Sequence, residues 1–84
     1  MSVEESFKEA VDQSKRLTER PSNDILLKIY ALYKQATVGD VNEERPGGFD
    51  FKAIAKFNAW ESMKGKSAEQ AMLEYIALIN ELSN

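Results

Sequence analysis

The chain has 84 residues, 43% hydrophobic and 30% charged, which suffices for one small core and leaves no room for a second domain. Fourteen acidic against eleven basic residues give a net charge of −3, without the broad positive field that draws proteins to nucleic acid or anionic membranes; at face value this also argues against a phosphate-rich ligand. Cysteine and histidine are both absent, which removes disulfides, thiolate nucleophiles, the usual acid or base near neutral pH and the commonest nitrogen ligand for metals, so most enzyme mechanisms are disfavoured.

The start, Met1-Ser2-Val3-Glu4-Glu5, is acidic where a secretory signal is basic, and no long apolar run follows. A cytoplasmic protein without stable membrane insertion is expected. A first helix is predicted from about Val3 to Leu17, opened by the capping-box pair Ser2 and Glu5, with Val3, Phe7, Ala10, Val11, Ser14 and Leu17 recurring at three- and four-residue steps. After Pro21, a second helix is predicted from about Ser22 to Ala36, with Ser22 or Asn23 as cap and Ile25, Ile29, Leu32 and Ala36 as its stripe. The third begins near the N-cap Asp50 and sets Phe51, Ile54, Phe57 and Trp60 on one side, read as core aromatics and aliphatics, until Gly65 stops it. The fourth reopens at Ser67 and Gln70 and repeats Ala71, Tyr75, Leu78 and Leu82.

Four amphipathic helices with no strand predict an all-α four-helix bundle. The connection from Thr37 to Phe49 is longer than the two to eight residues usual in bundles. Extended, it spans about 40 Å, against roughly 24 Å for a sixteen-residue helix, so it is able to return along the bundle. Periodicity leaves open whether it does so or whether the helices run up-down-up-down.

The second helix is apolar over more of its circumference than packing requires. Leu27, Tyr30 and Lys34 lie along one line, with Tyr33 beside Lys34. Phenol rings stack on flat heterocycles and their hydroxyls, like an ammonium, donate to phosphate oxygens, so this surface is a candidate nucleotide-phosphate anchor. The same spacing also fits boundary tyrosines with a lysine reaching past them to water. Lys52 and Lys56 share a face of the third helix, and the stretch from Asp50 to Lys66 carries four lysines against Asp50 and Glu61. Lys15 follows Val11 by four, at the edge of the first apolar stripe. Tyr75 lies on the stripe of the fourth helix, where spacing alone reads it as core.

The run Tyr30-Ala31-Leu32-Tyr33-Lys34-Gln35-Ala36-Thr37-Val38-Gly39-Asp40, then Arg45-Pro46, Phe51-Lys52, Lys56, Ala59-Trp60, Lys64-Gly65 and Tyr75-Ile76, resembles the acyl-CoA-binding protein family over essentially the whole chain. The resemblance implies one acyl-CoA-binding domain over residues 1–84, with up-down-down-up topology and a long crossing loop between helices two and three. It implies a carrier of medium- to long-chain fatty acyl-CoA esters, with no catalysis and no cofactor beyond that ligand. The adenine and 3′-phosphate end would be held by Tyr30, Tyr33, Lys34, Lys56 and Tyr75, with Lys15 and Leu27 at further contact positions and the acyl chain laid in a groove. A monomer in transient contact with acyl-CoA-using enzymes is expected, with no nucleic-acid partner. Two positions depart from the family pattern: Phe57 stands where many members have tryptophan, which removes one aromatic contact, and Ile54 where a basic residue is frequent, which lowers the charge near the phosphates. The rival reading is a small helical protein-interaction module whose second helix receives a partner helix. An enzyme using Lys34 or Lys56 as a Schiff-base amine ranks behind both, because no second catalytic group is oriented toward either.

Overall fold

A computed structural model of the protein describes residues 2–83; Met1 and Asn84, the ends of the predicted domain, lie outside the described residues. The helices are α1 (Val3–Ser14), α2 (Asn23–Thr37), α3 (Phe51–Glu61) and α4 (Ala68–Ser83), with no strand among the described residues. Each starts where a short polar side chain satisfies a free backbone N–H. Ser2 accepts from the Glu5 N–H while the Glu5 carboxylate accepts from the Ser2 backbone, completing the predicted box. Ser22 accepts from Ile25, Asp50 from Ala53 and Ser67 from Gln70, each cap contributing on the order of 1 kcal/mol.

α1 ends earlier than its periodicity predicts. The Lys15 and Arg16 N–H groups bond the carbonyls of Asp12 and Gln13, three residues back, and Ser14 donates to the Val11 carbonyl at 2.6 Å. This tightened turn ends the helix before Leu17, which belongs to the α1–α2 connection.

α1 packs on α4, α4 on α2, and α2 on α3. The result is a slab of 41 × 28 × 15 Å with α4 and α2 in the middle and α1 and α3 outside. Phe7 and Ala10 from α1, Leu32 and Ala36 from α2, and Ala71, Tyr75 and Ile79 from α4 form the central cluster. The alanines at the contacts allow the helices to approach closely.

The long connection, residues 38–50, crosses the bundle. At its start the Trp60 indole N–H donates to the Gly39 carbonyl at 2.8 Å, and Asp40 accepts the Gly65 N–H at 2.9 Å, so the C-terminal ends of α2 and α3 lie together. α2 and α3 are therefore parallel, and the order is up-down-down-up. Gly39, with φ of 98°, makes the turn out of α2 in a region of backbone space that side chains disfavour.

Phe51 corrects the sequence reading. It is 72% exposed and sets its ring edge-on to Phe49, itself 88% exposed, with centroids 6.3 Å apart. The helical stripe correctly buries Phe57 and Trp60, but α3 packs on α2 alone among the helices, and the first residue of that outer helix is left in solvent.

Candidate functional site

The candidate residues of α2 sit between two clefts. One, of about 600 Å³, opens between α2 and α3, with Leu26, Leu27, Tyr30 and Ala55 supplying apolar surface and Arg20, Lys52 and Lys56 supplying positive charge. Among the described residues no acidic side chain lines it. The second, of about 550 Å³, lies between α1, α2 and α4, with Phe7, Val11, Tyr33 and Met72 beside Lys8 and the acidic Glu4 and Asp12.

Lys34 and Lys56 each rest on an aromatic ring from the facing helix. The Lys34 ammonium of α2 is 4.8 Å from the Trp60 ring centroid of α3, and the Lys56 ammonium of α3 is 5.2 Å from the Tyr30 centroid of α2. Such contacts contribute roughly 0.5–1 kcal/mol at partly exposed sites and leave the charge available to an anion. Among the described residues the ion pair within 4 Å is Lys66 with Glu74, at 2.6 Å, so neither Lys34 nor Lys56 is neutralised by a carboxylate.

Tyr33 and Tyr75 lie on the α1 side. The Tyr33 ring, 41% exposed, lies 6.0 Å from Phe7 and 6.4 Å from Tyr75. Tyr75 is core, 2% exposed, with its ring edge-on to Phe7 at 5.1 Å. Burial pushes the Tyr75 phenol above its ordinary range; a hydrogen bond with Ser14 opposes the shift, and Tyr33 adds to it. Leu27, Tyr30 and Lys56 thus meet in one cleft, Lys34 lies one turn along on Trp60, and Tyr33 is backed by Tyr75. Lys15 stands apart, exposed at the C-cap of α1, with no hydrogen bond, ion pair or ring contact to the other six among the described residues.

Sequence reasoning missed what holds this face in place. Gln35, 1% exposed, donates to Asp40 Oδ1 and to the Lys66 carbonyl, each at 2.8 Å. With the Gly65 N–H on Asp40 and the Trp60 indole on Gly39, these bonds tie the end of α2, the crossing loop and the α3–α4 turn into one unit. Lys34 precedes Gln35 and rests on Trp60, so both neighbours that position it belong to that unit. The Gly65 bond, then the Gln35 bond, hold the Asp40 carboxyl below its ordinary range, with Lys64 adding to the effect and burial opposing it. A signal was present: Gln35 follows Ala31 by four and interrupts an otherwise apolar buried face with an amide. Two bonds from Nε2 offset the cost of burying that amide, while Oε1 is buried with no hydrogen-bond partner among the described residues. Among the described residues no group of three acidic side chains is close enough to hold a metal ion.

The family model described as acyl-CoA-binding protein matches residues 4–79. The chain belongs to the acyl-CoA-binding protein family. It is 51% identical to the acyl-CoA-binding protein of Saccharomyces cerevisiae over 80 residues, covering 95% of this chain and 92% of that protein. It is 48% identical to that of Brassica napus over 82 residues, covering 98% and 89%. The crystal structure of Oryza sativa acyl-CoA-binding protein 2 superposes with a TM-score of 0.92 at 43% identity, covering 96% of this chain and 90% of that one. In this acyl-CoA-binding protein family member, Phe57 is one of the two buried aromatic residues of α3. Its buried ring carries the Arg45 guanidinium at 5.9 Å.

Proposed function

We propose that this protein is a carrier that binds medium- to long-chain fatty acyl-CoA esters non-covalently and releases them unchanged. The reciprocal seating of Lys34 on Trp60 and Lys56 on Tyr30, beside an apolar cleft, is the observation that supports this reading. Two cations without carboxylate partners among the described residues, tyrosine rings and an adjacent hydrophobic groove are complementary to a ligand with phosphates and a flat base at one end and an acyl chain at the other. Relatives sharing about half of the sequence bear the name acyl-CoA-binding protein.

In this reading Lys34 and Lys56 leave their ring faces for the 3′-phosphate, each forming charge-assisted bonds. Tyr30 and Tyr33 offer ring faces and hydroxyls to the nucleotide, and Tyr75 fixes Tyr33 from behind. Lys15 reaches in from the end of α1 once a ligand is present. Leu27, with Leu26 and Ala55, takes the acyl chain. On this reading the ligand is held without catalysis and without a metal or second cofactor. We infer a cytoplasmic monomer that passes its ligand on by transient contact with acyl-CoA-using enzymes.

Each methylene moved out of water contributes about 0.8 kcal/mol, so each added carbon should tighten binding roughly fourfold until the cleft is filled. Native mass spectrometry with a series of saturated acyl-CoAs tests the proposal. One ligand per chain, with occupancy rising with acyl length, is expected; absence of a complex at every length would overturn it.

A further inference from the structure

Phe49 and Phe51 are the most exposed large hydrophobic side chains among the described residues, at 88% and 72%. They are held together by backbone geometry: the Phe51 N–H donates to the Phe49 carbonyl at 2.9 Å, and the rings meet edge-on. On one side the pair is anchored to α3, whose first turn is capped by Asp50. On the other, Gly48, with φ of 70°, turns the crossing loop toward it. This is a preformed apolar projection on a fixed base.

The size and charge of the patch select its occupant. Two phenyl groups at these exposures offer about 300 Å², well below the roughly 800 Å² per partner that a stable protein interface buries. A second copy of the chain or a folded partner would need additional apolar surface around them. Residues 43–52 instead contain Glu43, Glu44 and Asp50 against Arg45 and Lys52, a local charge of −1. A lipid interface accepts a small wedge without matching its shape, and a charge this close to neutral provides no attraction to anionic headgroups.

We propose that Phe49 and Phe51 form a wedge by which the protein docks transiently on the surface of a phosphatidylcholine bilayer. The rings enter the headgroup and acyl boundary, while Lys52, next to Phe51 and exposed, keeps its charged end among the phosphates. Lys52 also lines the α2–α3 cleft, so docking brings that cleft toward the lipid. The significance of this placement for ligand exchange rests on the acyl-CoA reading; the docking itself does not.

The test uses the full chain without ligand. Amide relaxation is recorded by nuclear magnetic resonance with phosphatidylcholine vesicles containing a spin-labelled lipid, for the native protein and for the double variant Phe49→Ser, Phe51→Ser. Enhancement concentrated at residues 48–52, several-fold above that at Leu73 on α4 and reduced about tenfold in the variant, is expected. Uniform or absent enhancement, or enhancement unchanged in the variant, would overturn the proposal. So would shifts at Phe49 and Phe51 that depend on protein concentration without any vesicle effect, which would assign the patch to a second copy. Shifts there on adding acyl-CoA, again without any vesicle effect, would assign it to the ligand's own chain.

Discussion

The Asp40 carboxylate accepts the backbone N–H of Gly65, 25 residues further along the chain, at 2.9 Å. Through this contact the loop that crosses the bundle is fastened to the turn between α3 and α4, and the same carboxylate takes the Gln35 amide from the end of α2. The parallel arrangement of α2 and α3 depends on such a fastening, because no short turn joins the two helices.

We predict that Asp40→Asn lowers the thermal midpoint and flattens its dependence on acid pH. The folded-state pKa of Asp40 is below its ordinary 3.8. Its contribution to stability is therefore fully present above that value and is lost as pH falls through the lowered one. Thermal unfolding of both proteins between about pH 2 and 6 measures this difference. Identical slopes below pH 4 would show that the bond does not couple to folding.

Tyr75 gives the opposite prediction at alkaline pH. Its phenol has a folded-state pKa above the ordinary 10.0, chiefly because of burial. The unfolded chain thus releases this proton first, and stability falls as pH rises past 10. Tyr75→Phe should cost about 1 kcal/mol or less at neutral pH, because the ring contacts with Phe7 and Tyr33 are kept. It should also remove part of the alkaline decline. Denaturant titrations at pH 7 and above pH 10 compare the two, and an equal alkaline loss in both proteins would exclude Tyr75 as its source.

Lys34 is half-buried on the Trp60 ring, and no hydrogen bond or ion pair to another side chain fixes its ammonium among the described residues. Lys34→Ala should leave helicity and unfolding cooperativity intact. It should also weaken long-chain acyl-CoA binding by roughly 10- to 100-fold, the equivalent of one charge-assisted hydrogen bond. Circular dichroism establishes the fold and calorimetry the affinity. Unchanged affinity in the folded variant would remove Lys34 from the site.

Leu27 is predicted to act on the other end of the ligand. Leu27→Ala should weaken binding of a long-chain ester more than that of a short-chain one, because only the longer chain extends far enough along the α2–α3 cleft to cover the leucine side chain. Equal losses for both esters would place Leu27 outside the acyl path.

Much of this architecture is legible in the sequence because helix periodicity and caps are local. Ser2, Ser22, Asp50 and Ser67 mark the four starts, and Phe57, Trp60, Tyr75 and Leu32 fall on faces that are buried. Position relative to other helices is not local. Phe51 shares its stripe with Phe57 yet has no helix opposite it, and Leu17 continues the α1 period beyond the turn that Ser14 and Lys15 close. The Lys34–Trp60 and Lys56–Tyr30 pairings join helices separated by the crossing loop, so spacing marked the residues without pairing them. Gln35 and Asp40 stand in the same run as Tyr30, Tyr33 and Lys34, which the family resemblance assigns to ligand, whereas Gly65 lies 25 residues beyond Asp40. Their hydrogen bonds appear only once the chain has crossed.

Calorimetric titration of the folded protein with a long-chain acyl-CoA and with the matching 3′-dephospho ester decides between a nucleotide-reading carrier and a bundle that merely offers an apolar face. Saturable one-to-one binding of the acyl-CoA, weakened at least about tenfold for the dephospho ester, is the predicted result. Equal affinity for the two esters, or no saturable heat with either, would contradict it.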